Sequence, residues 1–212
     1  MTRYKYPRTP HLPWSPGRTK DDKVLGDVDH FLGKELVATI KMDGECTTLY
    51  PDYLHARSID SKDHESRHWL KGFHSQIKDR IPSGWRVCGE NLFAKHSIHY
   101  TDLSSYFYGF SVWDERNVCL DWDTTIDFFD SVGIVPVLSF SNGPLEKIDK
   151  EFSLYFTDKT EGYVVRLLDE FNYQDFGVSV AKYVRRNHVQ TGKHWMYEKI
   201  EKMYWWWGKH EK

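Results

Sequence analysis

The chain has 212 residues and a formal net charge of −2, enough for one sizeable core with at most a small appendage, and too short for a large multidomain enzyme. Its 40% hydrophobic and 28% charged residues are those of a soluble globular protein, and the near-neutral balance excludes a non-specific nucleic-acid coat, so any nucleic-acid contact must be local. Cys46, Cys88 and Cys119 are odd in number and lack metal-binding spacing, no apolar run reaches the length of a membrane span, and MTRYKYPRTP has no signal-peptide core, so the expectation is a reducing, cytoplasmic setting with no membrane.

The first thirty residues contain Pro7, Pro10, Pro13 and Pro16. Proline removes backbone donors and fixes φ, so residues 1–30 read as an extended arm. Next, ELVATIKMDGECTTLY alternates Leu36, Ala38 and Ile40 against Val37, Thr39 and Lys41, then passes through Asp43-Gly44 into a second β-prone run. That pattern predicts a strand, a tight turn and a strand. From about residue 60, Trp69, Phe73, Ile77 and Ile81 recur every four positions before Pro82 and Gly84, as in an amphipathic helix facing a core. Strands are expected at Trp85 to Cys88 and Tyr106 to Trp113, then a helix from about Thr124 to Val132 closed by Gly133. Two β-branched runs, Gly162 to Leu168 and Val178 to Val184, read as further strands. Met196, Ile200, Met203 and Trp207 predict a terminal helix within 190–212. Strands broken by a few helices, with no internal repeat, imply one α+β domain over 1–212, its sheets mainly antiparallel and flanked by helices.

Lys41-Met42-Asp43-Gly44 puts a lysine at a strand end beside a glycine turn, where a backbone can approach a ligand and a side chain can enter a cleft. A surface hairpin would look the same, and K-x-D-G arises by accident in about one chain of this length in twenty. Downstream stand Arg57-Ser58, Gly89-Glu90, Phe110 in an aromatic strand, Glu161-Gly162 with Val164, and Lys182. Singly, each has a plain reading: a solvated charge, a turn carboxylate, a core aromatic, a strand-entry charge, a strand-end charge.

Taken in order, the series resembles motifs I, Ia, III, IIIa, IV and V of the nucleotidyltransferases that include RNA ligases, DNA ligases and capping enzymes, and it spans roughly two thirds of the chain. The flanking YPRTPHLPWSPG, GENLFAKHSIHY and AKYVRRNHVQTGKHW resemble the ATP-dependent RNA ligase branch. The resemblance implies an ATP-grasp-like adenylation domain that uses ATP as AMP donor, with Mg²⁺, or Mn²⁺ in its place. It implies that RNA 5′-phosphate and 3′-hydroxyl ends are joined through a lysyl-AMP and an RNA-adenylate. Lys41 would be the nucleophile and Lys182 a second catalytic residue. Ile40, Arg57, Glu90, Phe110, Lys182 and Arg185 would surround the nucleotide, and Glu161 would hold the metal. A separate protein or RNA-processing partner stays open, and oligomeric state is not readable.

The chemistry suits those residue types. A lysine must lose a proton before it attacks an α-phosphate, and nearby cations in a partly desolvated cleft lower its pKa. Lys182 is placed to be such a cation, because on a continuous strand Phe176, Val178 and Val180 share its inward face. Asp43 and Glu45 would act the other way. Magnesium takes oxygen ligands and keeps several waters, which suits Glu161. Glu90 can accept from ribose hydroxyls, Phe110 offers a stacking face, and the Arg57 fork suits phosphate or ribose.

Two departures from the family stand out. Val184 occupies the place of a second lysine found in many RNA ligases, with Arg185 following as a replacement charge. About thirty residues follow Lys182, which gives a minimal form without an evident C-terminal domain. A DNA ligase or capping guanylyltransferase would share the motifs but adds an OB-fold. A non-catalytic RNA-binding protein on the same fold would have lost its reactive charges, whereas Lys41, Glu90, Glu161 and Lys182 are all present. Arg185, Arg186, Lys193, His194 and Trp195 form a local set that reads equally as a backbone track or a solvated patch.

Overall fold

The structure, a computed structural model, describes residues 2–155, 157, 159–186 and 200–203. Two sheets organise it. The first is four-stranded and antiparallel, in the order β11 (Val180–Val184), β9 (Gly162–Leu167), β1 (Leu36–Lys41), β8 (Ser139–Gly143). The second runs β10 (Phe171–Asn172), β6 (Val118–Cys119), β5 (Phe107–Trp113), β4 (Arg86–Asn91), β2 (Glu45–Leu49), β3 (Leu54–Ala56), with β7 (Val135–Pro136) added in parallel beside β5.

Alternation sends one side of each sheet into an apolar core. On the first sheet Leu36, Ala38, Tyr163, Val165 and Ala181 pack with Ile148 and Phe152 of α3 (Leu145–Phe152), and with Leu12 of the arm. On the second, Leu49, Val87, Phe107 and Val112 pack with Leu70 and Ile77 of α1 (His68–Ile77) and Phe129 of α2 (Trp122–Val132). Between the sheets, Trp113, Cys119, Phe171, Phe176 and Val180 form a third cluster. Arg166 spans the same gap, donating from β9 to the Leu120 carbonyl at 2.5 Å.

The helix expected to begin near residue 60 starts later, as a single 3-10 turn at Glu65–Arg67 that leads into α1. The Arg67 guanidinium donates to the Lys62 carbonyl at 2.6 Å, which ties the irregular chain before the turn to the start of the helix. The second helix ends as predicted, with Gly133 at φ +80°.

Two expectations are corrected, and a third falls largely outside the described residues. β1 and β2 do not pair: they belong to different sheets, and Met42 to Gly44 carries the chain from one to the other. Residues Phe176–Ser179 form a short helix, α4, so the strand alternation that was to aim Lys182 inward holds for Val180 alone, and Val178 is exposed. Of the terminal helix, only Ile200 to Met203 are described. They run as a bridge, with Lys202 opposite Ala94 and Met203 buried; residues 190–199 and 204–212 lie outside the described residues.

The proline-rich segment has no regular strand, yet it is tied down. His11 bridges both Val24 and Lys182, Lys182 N–H donates to the Pro10 carbonyl at 2.9 Å, and Leu12 N–H donates to the Lys182 carbonyl at 2.8 Å. The arm thus runs along the outer edge of β11.

Candidate active site

Where the inner faces of the two sheets part, they leave a cleft of about 750 Å³. The β1–β9–β11 register sets Thr39, Val164 and Lys182 side by side, and Lys41 two residues along from Thr39 opposite Gly162. Opposite-facing strands supply Cys46, Glu90 and Phe110. Ile40, Lys41, Arg57, Glu90, Phe110 and Lys182, separated by up to 142 positions in the chain, all line this one cleft. The Ile40 side chain itself packs toward the core behind the first sheet.

Glycine at position 44 has a steric cause. A Cβ there would lie 2.5 Å from the Asn91 carbonyl oxygen and 2.6 Å from Leu92, so only glycine lets the crossover press against β4. Its N–H reaches Glu90 Oε1 at 3.2 Å, which fixes that carboxylate beside the turn. Gly162 is required likewise, because a Cβ would collide with the Tyr183 carbonyl of β11.

Glu161 does not line the cleft wall but reaches it through Lys41. Nζ of Lys41 donates to Glu161 Oε2 at 2.6 Å, with the two side chains 23% and 7% exposed. Burial pulls the Lys41 ammonium toward its neutral form, but the carboxylates of Glu161, Glu90 and Asp43 outweigh it and hold the pKa above the ordinary lysine range. The expectation that nearby cations would depress it is therefore reversed in the free protein, since the contact that dominates is an anion. Burial drives the Glu90 carboxyl up to about 8; Lys41 opposes this, while Glu161 and Asp43 add to it. Lys182 lies below the usual lysine range, through burial first and the nearby Lys41 charge second. Its Nζ is 4.0 Å from Asp22 of the arm.

Asp43 and Glu45 are both engaged in contacts that hold the fold together. Asp43 Oδ2 accepts the N–H groups of Ser97 and Ile98 at 2.7 and 2.8 Å, tying the crossover to the loop after β4. Glu45 takes a two-pronged contact from buried Arg67, at 2.6 Å from Nε and 2.5 Å from Nη2. Arg185 turns to the backbone, its Nε donating to the Thr160 carbonyl at 2.8 Å and its N–H to the Glu161 carbonyl at 3.0 Å. It thereby braces the segment that carries Glu161.

Among the described residues no group of three His, Cys, Asp or Glu side chains is disposed to hold a metal ion by itself. Mg²⁺ binds through one or two carboxylates together with waters and substrate phosphates, and the buried Glu161 carboxylate beside Lys41 offers oxygens of that type. Two contributors to the cleft escaped the sequence reading. Tyr6 and Arg8 of the arm both line it, and the Tyr6 ring meets Phe110 edge-on at 5.0 Å between centroids.

Comparison with solved structures places the fold. An archaeal ATP-dependent RNA ligase superposes with a TM-score of 0.54 at 15% identity, covering 76% of this chain and 45% of that one. Naegleria gruberi RNA ligase with pyrophosphate gives 0.50 at 16% identity, covering 74% and 51%. A variant of the Naegleria enzyme with ATP and Mn gives 0.50 at 15% identity, covering 74% and 51%. The chain thus spans about half the length of these proteins, and at such identities they establish the fold. Among the described residues no helix is long and apolar enough to cross a membrane. No curated protein matches the sequence. The pattern that defines the RNA ligase family does match, over residues 34–184, which takes in every strand lining the cleft, and the chain belongs to that family.

Proposed function

We propose that the protein is an ATP-dependent RNA ligase that forms a covalent lysyl-AMP at Lys41 and passes the AMP to the 5′-phosphate of an RNA strand, whose junction with a 3′-hydroxyl then releases AMP. The observation that carries this reading is the convergence of Ile40, Lys41, Arg57, Glu90, Phe110 and Lys182 on one cleft, within a chain of the RNA ligase family. Solved relatives on the same fold carry ATP with Mn, or pyrophosphate, which are the substrate and leaving product of such a step.

In the first step the Lys41 Nζ lone pair attacks the α-phosphorus. A P–N bond forms, the bond from the α-phosphorus to the bridging oxygen breaks and pyrophosphate leaves, while the two protons that the ammonium loses on becoming the phosphoramidate N–H pass to solvent and to the departing pyrophosphate. The 2.6 Å contact with Glu161 aims Nζ and holds its proton until the nucleotide enters. A divalent cation at Glu161 would supply charge neutralisation at the departing pyrophosphate. Lys182 is positioned to offset charge on the α-phosphate, Glu90 to hold the ribose, and Phe110 to support the base. The three free cysteines fit a reducing, cytoplasmic setting.

The test is incubation with Mg²⁺ and ATP labelled at the α-phosphate. Label is expected to stay with the denatured chain, to be released by acid, and to be absent from Lys41→Ala. GTP and NAD⁺ run in parallel should leave no label. Equal labelling of wild type and Lys41→Ala would sink the reading.

A further inference from the structure

The nucleotide cleft is not the end of the cavity. Beyond Arg57 and Tyr6 it continues into a second pocket of about 500 Å³, lined by Lys5, Tyr6, Pro7, Arg8, Arg57, Ser58 and Tyr173. Three of these seven residues are cations, none is an anion, and among the described residues none of the three cations is held in an ion pair. Lys5 and Arg8 are exposed at its rim.

The arm is anchored on both sides of these residues. Tyr4 N–H donates to the Tyr50 hydroxyl at 2.7 Å, the Tyr173 hydroxyl donates to the Lys5 carbonyl at 2.5 Å, and the Tyr6 ring packs on Phe110 and Phe176 at 5.0 and 5.2 Å. On the far side Pro10 and Leu12 are hydrogen-bonded to Lys182 of β11. The segment between, Lys5 to Arg8, is therefore a strap across the mouth of the cleft, on which Arg8 Nη1 donates to the Asp21 carbonyl at 2.8 Å and both Lys5 and Arg8 are exposed to solvent. Such solvent-facing cations, outside any ion pair, favour a phosphate group over a buried apolar ligand. Two phosphates could arrive here, the outer phosphates of ATP or the terminal phosphate of a polynucleotide strand. The pocket lies at the solvent side of the cleft and shares Arg57 with it, which matches a strand that enters from outside and must bring its end to the α-phosphate.

We propose that Lys5 and Arg8 of the arm, together with Arg57, form a recognition site for the 5′-phosphate end of the RNA strand. This rests on the ligase reading for the identity of the strand, while the site itself rests on the pocket. Lys5 and Arg8 are positioning residues, holding the acceptor phosphate beside the nucleotide.

The experiment uses the full chain and one short fluorescent RNA oligonucleotide, prepared with a 5′-phosphate or a 5′-hydroxyl, with binding followed by anisotropy. Wild type is expected to prefer the 5′-phosphate form by on the order of tenfold. The Lys5→Ala/Arg8→Ala double variant should lose that preference, with its affinity for the 5′-hydroxyl form within about twofold of wild type; Lys5→Arg/Arg8→Lys should restore it. Self-adenylylation is measured alongside on Lys5→Ala, whose side chain lines the outer pocket and not the nucleotide cleft, and this variant should label like wild type. No preference in wild type, or a preference that survives in the double variant, overturns the proposal. A Lys5→Ala variant that no longer self-adenylylates assigns that charge to ATP and overturns it as well. Failure of wild type itself to adenylylate defeats the ligase reading and leaves the binding arms to decide the phosphate site independently.

Discussion

Lys41 meets its partner Glu161 across 120 positions of sequence, and that contact could not be read from spacing. What spacing did carry was the set of residue types a nucleotidyl transfer needs, and six of those named in advance share the cleft. The protonation of Lys41 was misjudged because the linear neighbourhood shows charges without their distances. Asp43 and Glu45 were recognisable as acids, but their engagement with Ser97, Ile98 and Arg67 depends on the folded crossover. At this scale Phe110 offers a clean prediction. Phe110→Ala should weaken ATP binding by roughly ten- to a hundredfold, the loss of about 1–3 kcal/mol of stacking. Calorimetric titration measures it, and an unchanged Kd would remove Phe110 from the base site.

Elements with a strong local period were legible. The four-residue recurrence of Trp69, Phe73 and Ile77 is α1, and Gly133 stops α2. The strands around Lys41 were recognised but not their partners, because a hairpin and a crossover between sheets share the same glycine turn, and nothing in the local pattern separates them. Val178 and Ser179 went the other way: the β-branched run Val178 to Val184 suggested a strand, and its first two residues belong to a helical turn that seats Phe176 in the cluster between the sheets. The link between β2 and the turn leading into α1 is the Glu45–Arg67 pair, with Arg67 buried and Glu45 half-buried. Glu45→Ala leaves Arg67 without its partner and should cost about 3–5 kcal/mol in urea unfolding. The Glu45→Ala/Arg67→Met double variant should recover most of that loss. A single-variant cost below about 1 kcal/mol would show that the pair does not hold the elements together.

Across the whole molecule, two sheets with cores behind them leave their inner faces free to converge on chemistry, and the arm closes the structure through His11. Burial, with the nearby Lys182 charge, takes the His11 imidazole down to about 4, against about 6.5 for an unfolded chain. The unfolded state then binds more protons between these values, so stability present above about pH 6.5 is lost as pH falls toward 4. The loss attributable to His11 should be roughly 1–3 kcal/mol, seen as a lower urea midpoint at pH 4.5 than at pH 7, and His11→Gln should flatten that part of the dependence. An identical pH slope in the variant would assign the acid sensitivity elsewhere. The central claim concerns the covalent chemistry that this architecture supports. Peptide-level mass spectrometry of the full chain after incubation with ATP and Mg²⁺ tests it most directly. One AMP per chain is expected, carried on the peptide containing Lys41. AMP attached at another residue, Lys182 included, or no adduct on a folded, ATP-binding wild type, would contradict it.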